Sequence, residues 1–282
     1  MTSVKQLGNR EVGKAHTRDR GYWAETVMGE IRVEIPRDVG GVLQGVHYTT
    51  GGLPRSTPLV ILCHGFTGDK EEWGRFPKTA KALNDAGFDA VLFDFSGSGQ
   101  NPREAVTLTR QIQDLEDVYR WVLRLGYQSI GTIGLSFGGL TSLLAKLPER
   151  RVAVFWAPAF YPTRVLSPMQ RLGVKILSMV KQAPLKRRSR NAEPILIDRT
   201  FVDSLEHANS EDALRAFVIP ALIVQGTDDA TVKARYSRDA YSVMPRDEHH
   251  QMVEVEGADH NFDGEHLDRF IMHSIAWLKR YL

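Results

Sequence analysis

The strongest constraint on the fold is the repeated alternation of two kinds of segment along the chain. The first kind is a short, almost continuously apolar run bounded by Gly, Pro or Asp, which is typical of a strand buried on both faces of a parallel sheet. Six such runs are predicted as strands: residues 58–63, 89–95, 129–135, 151–157, 218–225 and 250–255.

The second kind of segment has apolar residues at helical spacing. The predicted helix stripes are Ile112, Leu115, Val118, Val122 and Leu125; Leu140, Leu143, Leu144 and Leu147; and Leu267, Ile271, Ile275, Leu278 and Leu282. Strand, helix and strand in this order require right-handed crossovers, which place helices on both faces of the sheet. Upstream, residues 31–35 and 43–48 alternate in polarity and predict an antiparallel hairpin at one edge. We predict one α/β domain over residues 1–282, with a mostly parallel, doubly wound sheet of about eight strands.

The alternation stops between residues 161 and 200. A stripe of apolar residues at helical spacing, Val165, Met169, Leu172, Ile176 and Val180, precedes the basic run Lys186-Arg187-Arg188-Ser189-Arg190. The stretch holds nine Lys and Arg residues against two acidic ones. It therefore carries +7 within a chain of net charge +2, which leaves −5 for the remainder. We predict a basic helical insertion at residues 160–200.

Composition excludes several classes of protein. With 42% apolar and 25% charged residues the chain is expected to fold, and its net charge of +2 gives no reason to expect nucleic-acid binding. No run approaches the roughly 18 apolar residues of a membrane span, and the N-terminus lacks the apolar core of a secretion signal, so we expect a cytoplasmic protein. The single cysteine, Cys63, excludes an intramolecular disulfide and a thiolate metal cluster.

The main chemical motif is Gly134-Leu135-Ser136-Phe137-Gly138, a G-x-S-x-G pattern that ends one predicted strand and begins a predicted helix. A serine at such a turn lies on a tight, strained backbone and is exposed above the sheet. The two flanking glycines are needed because side chains there would collide with the neighbouring strand and helix. The alternative is an ordinary glycine-rich helix start.

A serine hydroxyl becomes a nucleophile when a histidine takes its proton, and the histidine is oriented by a carboxylate. On this kind of sheet the acid and then the histidine follow the serine, each after a strand. The fifth predicted strand is followed by Asp228 and Asp229, and the sixth by His260. The other eight histidines lie too early in the chain, in helices or at a strand start. His260 is therefore the candidate base, and Asp228 and Asp229 are both candidate acids.

Acyl transfer at a serine also requires backbone N–H donors for the oxyanion. One is the amide of Phe137, directly after Ser136. The other is expected in the loop after the strand that ends at Cys63, where Phe66 is the candidate. We expect His64 to be a buried residue that braces this loop, and Cys63 to be a buried inert thiol.

Taken together, these motifs resemble the α/β-hydrolase superfamily from about residue 27 to residue 282. The stretch from His64-Gly65-Phe66-Thr67-Gly68 to Asp94-Phe95-Ser96-Gly97-Ser98-Gly99 is similar to the branch that holds cinnamoyl or feruloyl esterases, acyl-peptidase-like hydrolases and dienelactone-hydrolase-like proteins. The resemblance implies an α/β-hydrolase fold. It places the nucleophile at Ser136, the base at His260 and, through the spacing G-x-x-D-x-x-V, the acid at Asp229.

The resemblance further implies oxyanion donors at Phe66 and Phe137 and a cap or lid formed by residues 160–200. No cofactor is expected, and no metal either, because the cluster Asp259, His260, Asp263 and His266 has no strong ligand spacing. The implied activity is hydrolysis of small to medium carboxylic esters or thioesters through a covalent acyl-enzyme. Short-peptide hydrolysis, carbon–carbon bond hydrolysis, haloperoxidase activity and a catalytically silent binding protein remain as alternatives.

The expected partner is a small-molecule ester. Nucleic acid is not expected as a partner. We hypothesise that the basic insertion favours substrates with an anionic group or attracts an acidic partner. Its apolar stripe is short and interrupted by Gly173, so membrane docking is not expected. The oligomeric state is left open, a homodimer included.

Overall fold

The chain alternates strands and helices along most of its length. A computed structural model describes residues 29–165 and 194–282, together with residues 173, 176 and 183–185. The strands are β1 (Gly29–Pro36), β2 (Val42–Thr49), β3 (Leu59–Cys63), β4 (Asp89–Phe93), β5 (Ile130–Leu135), β6 (Arg150–Trp156), β7 (Ala183–Leu185), β8 (Ile195–Ile197), β9 (Ala221–Gly226) and β10 (His250–Val255). The helices are α1 (Arg75–Asp85), α2 (Leu108–Arg124), α3 (Phe137–Leu144), α4 (Pro162–Val165), α5 (Arg199–Glu206), α6 (Ser210–Arg215), α7 (Ala234–Val243) and α8 (Glu265–Tyr281). Within these ranges no helix combines the length and the apolar run needed to cross a bilayer.

The main sheet has eight strands in the order β1-β2-β4-β3-β5-β6-β9-β10. Strand β2 pairs antiparallel with both β1 and β4, and every other pairing in this sheet is parallel. The predicted mostly parallel sheet with an antiparallel N-terminal edge is therefore confirmed. The carboxyl ends of β3, β5, β9 and β10 lie at one edge, so the loops that follow them are neighbours.

Helices cover both faces of this sheet, as strand β3 illustrates. Val60 and Leu62 pack in a cluster with residues of α1 and α8, whereas Leu59 and Ile61 pack in a cluster with residues of α2. Successive side chains of a strand point to opposite faces, so a strand buried on both faces must be apolar throughout. This requirement explains the uninterrupted apolar runs in the sequence.

Three predicted boundaries shift by a few residues. Strand β9 begins at Ala221, not Val218, because Pro220 has no amide hydrogen for the ladder, and Val218 is exposed. Strand β4 ends at Phe93, since the amide of Phe95 donates to His64 instead of to a strand. Helix α3 ends at Leu144, before Leu147, which precedes a proline and therefore disfavours helical backbone.

The insertion at residues 160–200 contains two short strands that the sequence did not predict. Strands β7 and β8 form a separate antiparallel pair. Ile195 and Ile197 are buried with Phe201 in an apolar cluster, and β-branched residues favour the extended backbone found there. Val165 ends α4, whereas three residues of the predicted stripe, Met169, Leu172 and Val180, and the basic run 186–190 lie outside the described residues.

Candidate active site

The loops at the carboxyl edge of the sheet enclose a cavity of about 560 Å³. Ser136, directly after β5, and His260, in the loop after β10, both line it. Phe66, in the loop after β3, and Phe201 of α5 also line this cavity. The structure thus brings the candidate nucleophile and the candidate base into one enclosed space.

Ser136 occupies a strained turn between β5 and α3. Its φ of 52° lies in the left-handed region, which non-glycine residues rarely adopt and which costs on the order of 1–3 kcal/mol. The surroundings hold this backbone in place: the Ser136 amide donates to the Trp156 carbonyl at 2.8 Å, and the Ser136 carbonyl accepts from the Ala159 amide at 2.9 Å. The turn presents the partly exposed serine to the cavity.

The flanking glycines are required by close backbone approach. A Cβ atom on Gly134 would lie 2.7 Å from the carbonyl oxygen of Gly138, and one on Gly138 would lie 2.2 Å from the carbonyl oxygen of Cys63. Both distances are shorter than any real Cβ contact. The prediction that side chains at these positions would collide with neighbouring backbone is confirmed.

His260 is oriented by a buried carboxylate. Its Nδ1 lies 2.7 Å from Oδ2 of Asp229, whose side chain is fully buried, while the histidine side chain is 17% exposed. A carboxylate in that position accepts the Nδ1 hydrogen. The Nε2 atom of the neutral ring therefore carries the lone pair that a general base needs.

The structure separates the two adjacent candidate acids. Asp228 is exposed and accepts a hydrogen bond from Thr227, whereas Asp229 contacts His260. The other oxygen of Asp229 accepts from the amides of Thr231 and Val232, at 2.8 and 2.7 Å. These contacts leave Asp229 as the carboxylate that can orient the histidine.

Gln225 is a supporting residue that the sequence analysis did not identify. It is fully buried, and its Nε2 donates to Oδ2 of Asp229 at 3.1 Å and to the Val232 carbonyl. Its Oε1 accepts from the Ser237 hydroxyl at 2.7 Å. The available signal was a polar residue at the end of an otherwise apolar strand, because a buried amide must find partners.

The amides of Phe66 and Phe137 are available at the cavity. Among the residues that the structure describes, neither amide donates to a protein acceptor. For Phe137 this follows from its place at the first turn of α3, where the N–H groups have no partner within the helix. Both residues line the cavity beside Ser136. The geometry is compatible with the predicted pair of oxyanion donors.

Three phenylalanine side chains form one wall of the cavity. The rings of Phe66 and Phe201 are stacked with centroids 5.0 Å apart, and the Phe66 and Phe137 rings meet edge to face at 5.7 Å. Leu205, Pro162 and Val165 continue this apolar surface. The wall therefore favours an apolar group next to the reactive serine.

His64 and Cys63 occupy the structural positions predicted for them. His64 is fully buried; its Nε2 accepts from the Phe95 amide at 3.1 Å and its Nδ1 lies 2.9 Å from the Gly65 carbonyl. This neutral ring joins the loops after β3 and β4. Burial raises the pKa of the Cys63 thiol well above its usual range, which makes it a poor nucleophile.

Glu72 and Arg75 are two further cavity residues that the sequence analysis did not identify. Glu72 Oε2 lies 2.7 Å from Nη2 of Arg75, and both side chains are almost completely buried. Glu72 ends the charged stretch Asp69-Lys70-Glu71-Glu72 and Arg75 follows three residues later, so the sequence offered no signal that separated the two residues from a solvated loop.

Comparison with known proteins agrees with this architecture. Residues 58–150, from β3 to the start of β6, match a family model described as the alpha/beta hydrolase fold. The chain has the α/β-hydrolase fold. Est1E from Butyrivibrio proteoclasticus has the same fold: it superposes on this chain with a TM-score of 0.70 at 20% identity, over 88% of this chain and 98% of Est1E. The predicted fold is confirmed.

Sequence relatives match shorter stretches. An uncharacterised 31.7 kDa protein in the traX-finO intergenic region of Escherichia coli is 35% identical over 100 residues, 34% of each chain. A carboxylesterase of Bacillus subtilis (strain 168) is 35% identical over 89 residues, 30% of this chain and 34% of its own. The chain matches about a third of the length of these two curated relatives.

Proposed function

We propose that this α/β-hydrolase cleaves carboxylic esters or thioesters through a covalent acyl-enzyme on Ser136. The observation that carries the proposal is the convergence of a strained, partly exposed serine and an aspartate-oriented histidine on one cavity. The names of the carboxylesterase from Bacillus subtilis and of several structural neighbours support an ester substrate.

The proposed reaction has two halves. Ser136 Oγ attacks the carbonyl carbon while His260 Nε2 takes the hydroxyl proton, and the amides of Phe66 and Phe137 stabilise the oxyanion. The C–O or C–S bond of the substrate then breaks, and His260 returns the proton to the departing alcohol or thiol. Water repeats the sequence on the acyl-enzyme: His260 takes its proton, the acid departs and Ser136 regains its hydrogen. Asp229 holds the imidazole and stabilises its charged form.

The proposal is tested with the wild-type chain. A fluorophosphonate probe should label the folded protein at one site. The unlabelled protein should hydrolyse p-nitrophenyl esters, and the labelled protein should not. A folded protein that neither reacts with the probe nor hydrolyses any ester or thioester of the series would contradict the proposal.

We further propose that residues 160–200 act as the cap and that the phenylalanine wall beneath it sets acyl preference. A cavity of about 560 Å³ is within the usual range for small-molecule sites. Phe201 lies just past the insertion and stacks on Phe66 directly beside the oxyanion position. Its ring therefore limits the length of an acyl chain bound along that wall.

Phe201→Leu should shift the enzyme towards longer acyl chains. A shorter side chain opens the wall at a smaller cost in stability than truncation to alanine, which would cost about 3–5 kcal/mol. We expect kcat/KM for p-nitrophenyl octanoate relative to the butyrate to rise about 3–10-fold, which is at the lower end of the roughly 1–3 kcal/mol that one methylene gains in a well-fitted apolar pocket.

Phe217→Leu is the matched control, because Phe217 is equally buried but packs on Phe155 away from the cavity. It should lower stability and leave the octanoate-to-butyrate ratio unchanged. Equal ratios in wild type and Phe201→Leu, or equal shifts in both variants, would contradict this assignment of the wall.

The basic run of the insertion carries the proposed preference for anionic substrates. Of the described residues that line the cavity, Arg75 is the only lysine or arginine, and it is paired with Glu72. Any such preference must therefore come from outside these residues, and the run at 186–190 is the candidate.

Neutralising Lys186, Arg187, Arg188 and Arg190 together tests this preference. We expect kcat/KM for a p-nitrophenyl hemisuccinate to fall about 3–10-fold relative to the neutral butyrate at low salt, because a group of positive charges steers the approach of an anionic substrate. The difference should shrink at 0.5 M salt, where screening is strong. An unchanged ratio between the anionic and the neutral ester would refute the preference.

A further inference from the structure

The loop after β3 contains a buried acid in a strained backbone. Glu72 is 2% exposed and has a φ of 41°, and the next residue, Trp73, has a φ of 55°. Positive φ values at two consecutive non-glycine residues persist only where surrounding contacts impose them. The main contact is specific: Oε1 of Glu72 accepts a hydrogen bond from the Gly65 amide at 2.8 Å. Glu72 therefore holds the peptide between His64 and Gly65, one peptide before the Phe66 amide.

Arg75 extends this contact to the loop that carries His260. Its Nη2 donates to Oε2 of Glu72 at 2.7 Å, and its Nε donates to the Glu72 carbonyl at 3.0 Å. Its Nη1 donates to the carbonyl of Asn261 at 2.7 Å. Asn261 directly follows His260. A continuous series of charge-assisted hydrogen bonds thus joins the residue before the Phe66 amide to the residue after the base.

The space around Glu72 is shaped to admit the carboxylate. A Cβ atom on Gly68 would lie 2.1 Å from Oε1 of Glu72, and one on Gly65 would lie 3.5 Å from the same oxygen and 3.4 Å from Cβ of Ser136. The carboxylate therefore fills the room left by Gly68, close to the nucleophile. Since Arg75 neutralises it, the pair adds no net charge to the cavity wall.

We propose that Glu72 and Arg75 are positioning residues. Together they form a clamp that fixes the position of the Phe66 amide relative to the loop that carries His260. The inference rests on the ester hydrolysis proposed above. An oxyanion donor acts only when it is aimed at the developing charge, and a displacement of 1 Å can cost about 100-fold in rate. The clamp acts through Phe66 and His260, since its own hydrogen-bonding atoms are engaged by Gly65 and Asn261.

The same loop offers a matched control. Lys70 Nζ lies 2.7 Å from Oδ2 of Asp94, and this pair is buried to a similar degree as the clamp. It joins the loops after β3 and β4, and Lys70 also donates to Gln100. Neither Gly65 nor Asn261 is among its hydrogen-bond partners. Loss of this pair should therefore weaken the fold without moving the oxyanion donor.

The experiment compares Glu72→Gln, Arg75→Lys and Lys70→Met with the wild type, with rates normalised to the active sites titrated by a fluorophosphonate. We expect Glu72→Gln to lower kcat per active site about 10–100-fold with KM changed less than about 3-fold. The glutamine oxygen can still accept a hydrogen bond from the Gly65 amide. Its NH₂ group then faces the N–H donors of Arg75, so the hydrogen bond between the two side chains is lost.

A trifluoromethyl ketone supplies the second measurement. Ser136 adds to its carbonyl carbon, and the charged oxygen that forms takes the place of the oxyanion. Its inhibition constant should rise in Glu72→Gln by the factor by which kcat/KM falls, because both depend on the same donors. Arg75→Lys should show a smaller fall in kcat/KM and a smaller rise in the inhibition constant. Lys70→Met should lower Tm with kcat per active site within about 2-fold of wild type.

Each outcome decides the inference. It is overturned if kcat per active site in Glu72→Gln stays within about 2-fold of wild type. It is also overturned if kcat per active site falls as far in Lys70→Met as in Glu72→Gln. If Glu72→Gln does not fold, the same thresholds apply to Arg75→Lys, which keeps the charge. A wild type that is neither labelled nor active contradicts the proposed function and the clamp together, whereas an active wild type with unaffected variants contradicts the clamp alone.

Discussion

Ser136→Ala should remove fluorophosphonate labelling and lower ester hydrolysis by a factor on the order of 10⁵–10⁶, close to the background rate. Without the hydroxyl no acyl-enzyme can form, and the oxyanion donors and His260 have no covalent intermediate to act on. The measurements are gel detection of the labelled chain and kcat for p-nitrophenyl butyrate. Alanine can take the backbone conformation of Ser136 at a similar cost, so the fold should persist.

Ser142→Ala controls for the loss of a hydroxyl, because Ser142 lies in α3, the helix that follows Ser136. Ser142 is fully buried, and its hydroxyl contacts Thr132 and Arg150 away from the cavity. This variant should be less stable than wild type yet fully labelled. If Ser136→Ala kept more than about a hundredth of wild-type activity, the nucleophile would have to be another residue.

Asp229→Asn should lower kcat by about 10⁴-fold while the protein remains folded. Oδ1 of Asp229 accepts from the amides of Thr231 and Val232, so the asparagine oxygen must stay on that side. Its NH₂ group then faces His260 and forces the imidazole hydrogen onto Nε2. The ring would present a donor to Ser136 in place of the lone pair. The loss should appear in kcat for p-nitrophenyl butyrate measured near neutral pH.

Asp228→Asn is the natural comparison because it makes the same chemical change one residue earlier. Asp228 is exposed and does not contact His260, so kcat should remain within about 2-fold of wild type. Equal losses in the two variants, or a greater loss in Asp228→Asn, would show that the acid has been assigned to the wrong residue.

The sequence predicted the structural elements that are determined by residues close together in the chain. Almost continuously apolar runs identified six strands of the main sheet, because burial on both faces leaves little place for polar residues, and alternating polarity identified the edge hairpin of β1 and β2. The glycines around Ser136 identified the turn, because Gly134 and Gly138 have no room for a Cβ atom. Even the boundary errors have local causes, such as Pro220 at the start of β9.

The parts of the site that sequence reasoning missed depend on contacts between distant segments. Asp229 was predicted only through the spacing shared with the resembled family, because Asp228 and Asp229 are chemically identical neighbours; in the structure the contact with His260 distinguishes them. Glu72 lies in a run of charged residues typical of a solvated surface, and its burial depends on Gly65 and on the contact of Arg75 with Asn261. Strands β7 and β8 were missed because each has only three residues, too few to show a period.

The most direct test of the central claim is the mass of the enzyme during turnover. The wild type is mixed with excess p-nitrophenyl acetate, quenched with acid within milliseconds and analysed by mass spectrometry, intact and after digestion. We predict a population heavier by one acetyl group, with that group on the peptide that contains Ser136, and a matching burst of p-nitrophenol. Two results would contradict the proposed acyl-enzyme on Ser136. The first is acetate production with the acetyl group on another residue. The second is acetate production while neither the wild type nor Asp229→Asn is acylated at any quench time.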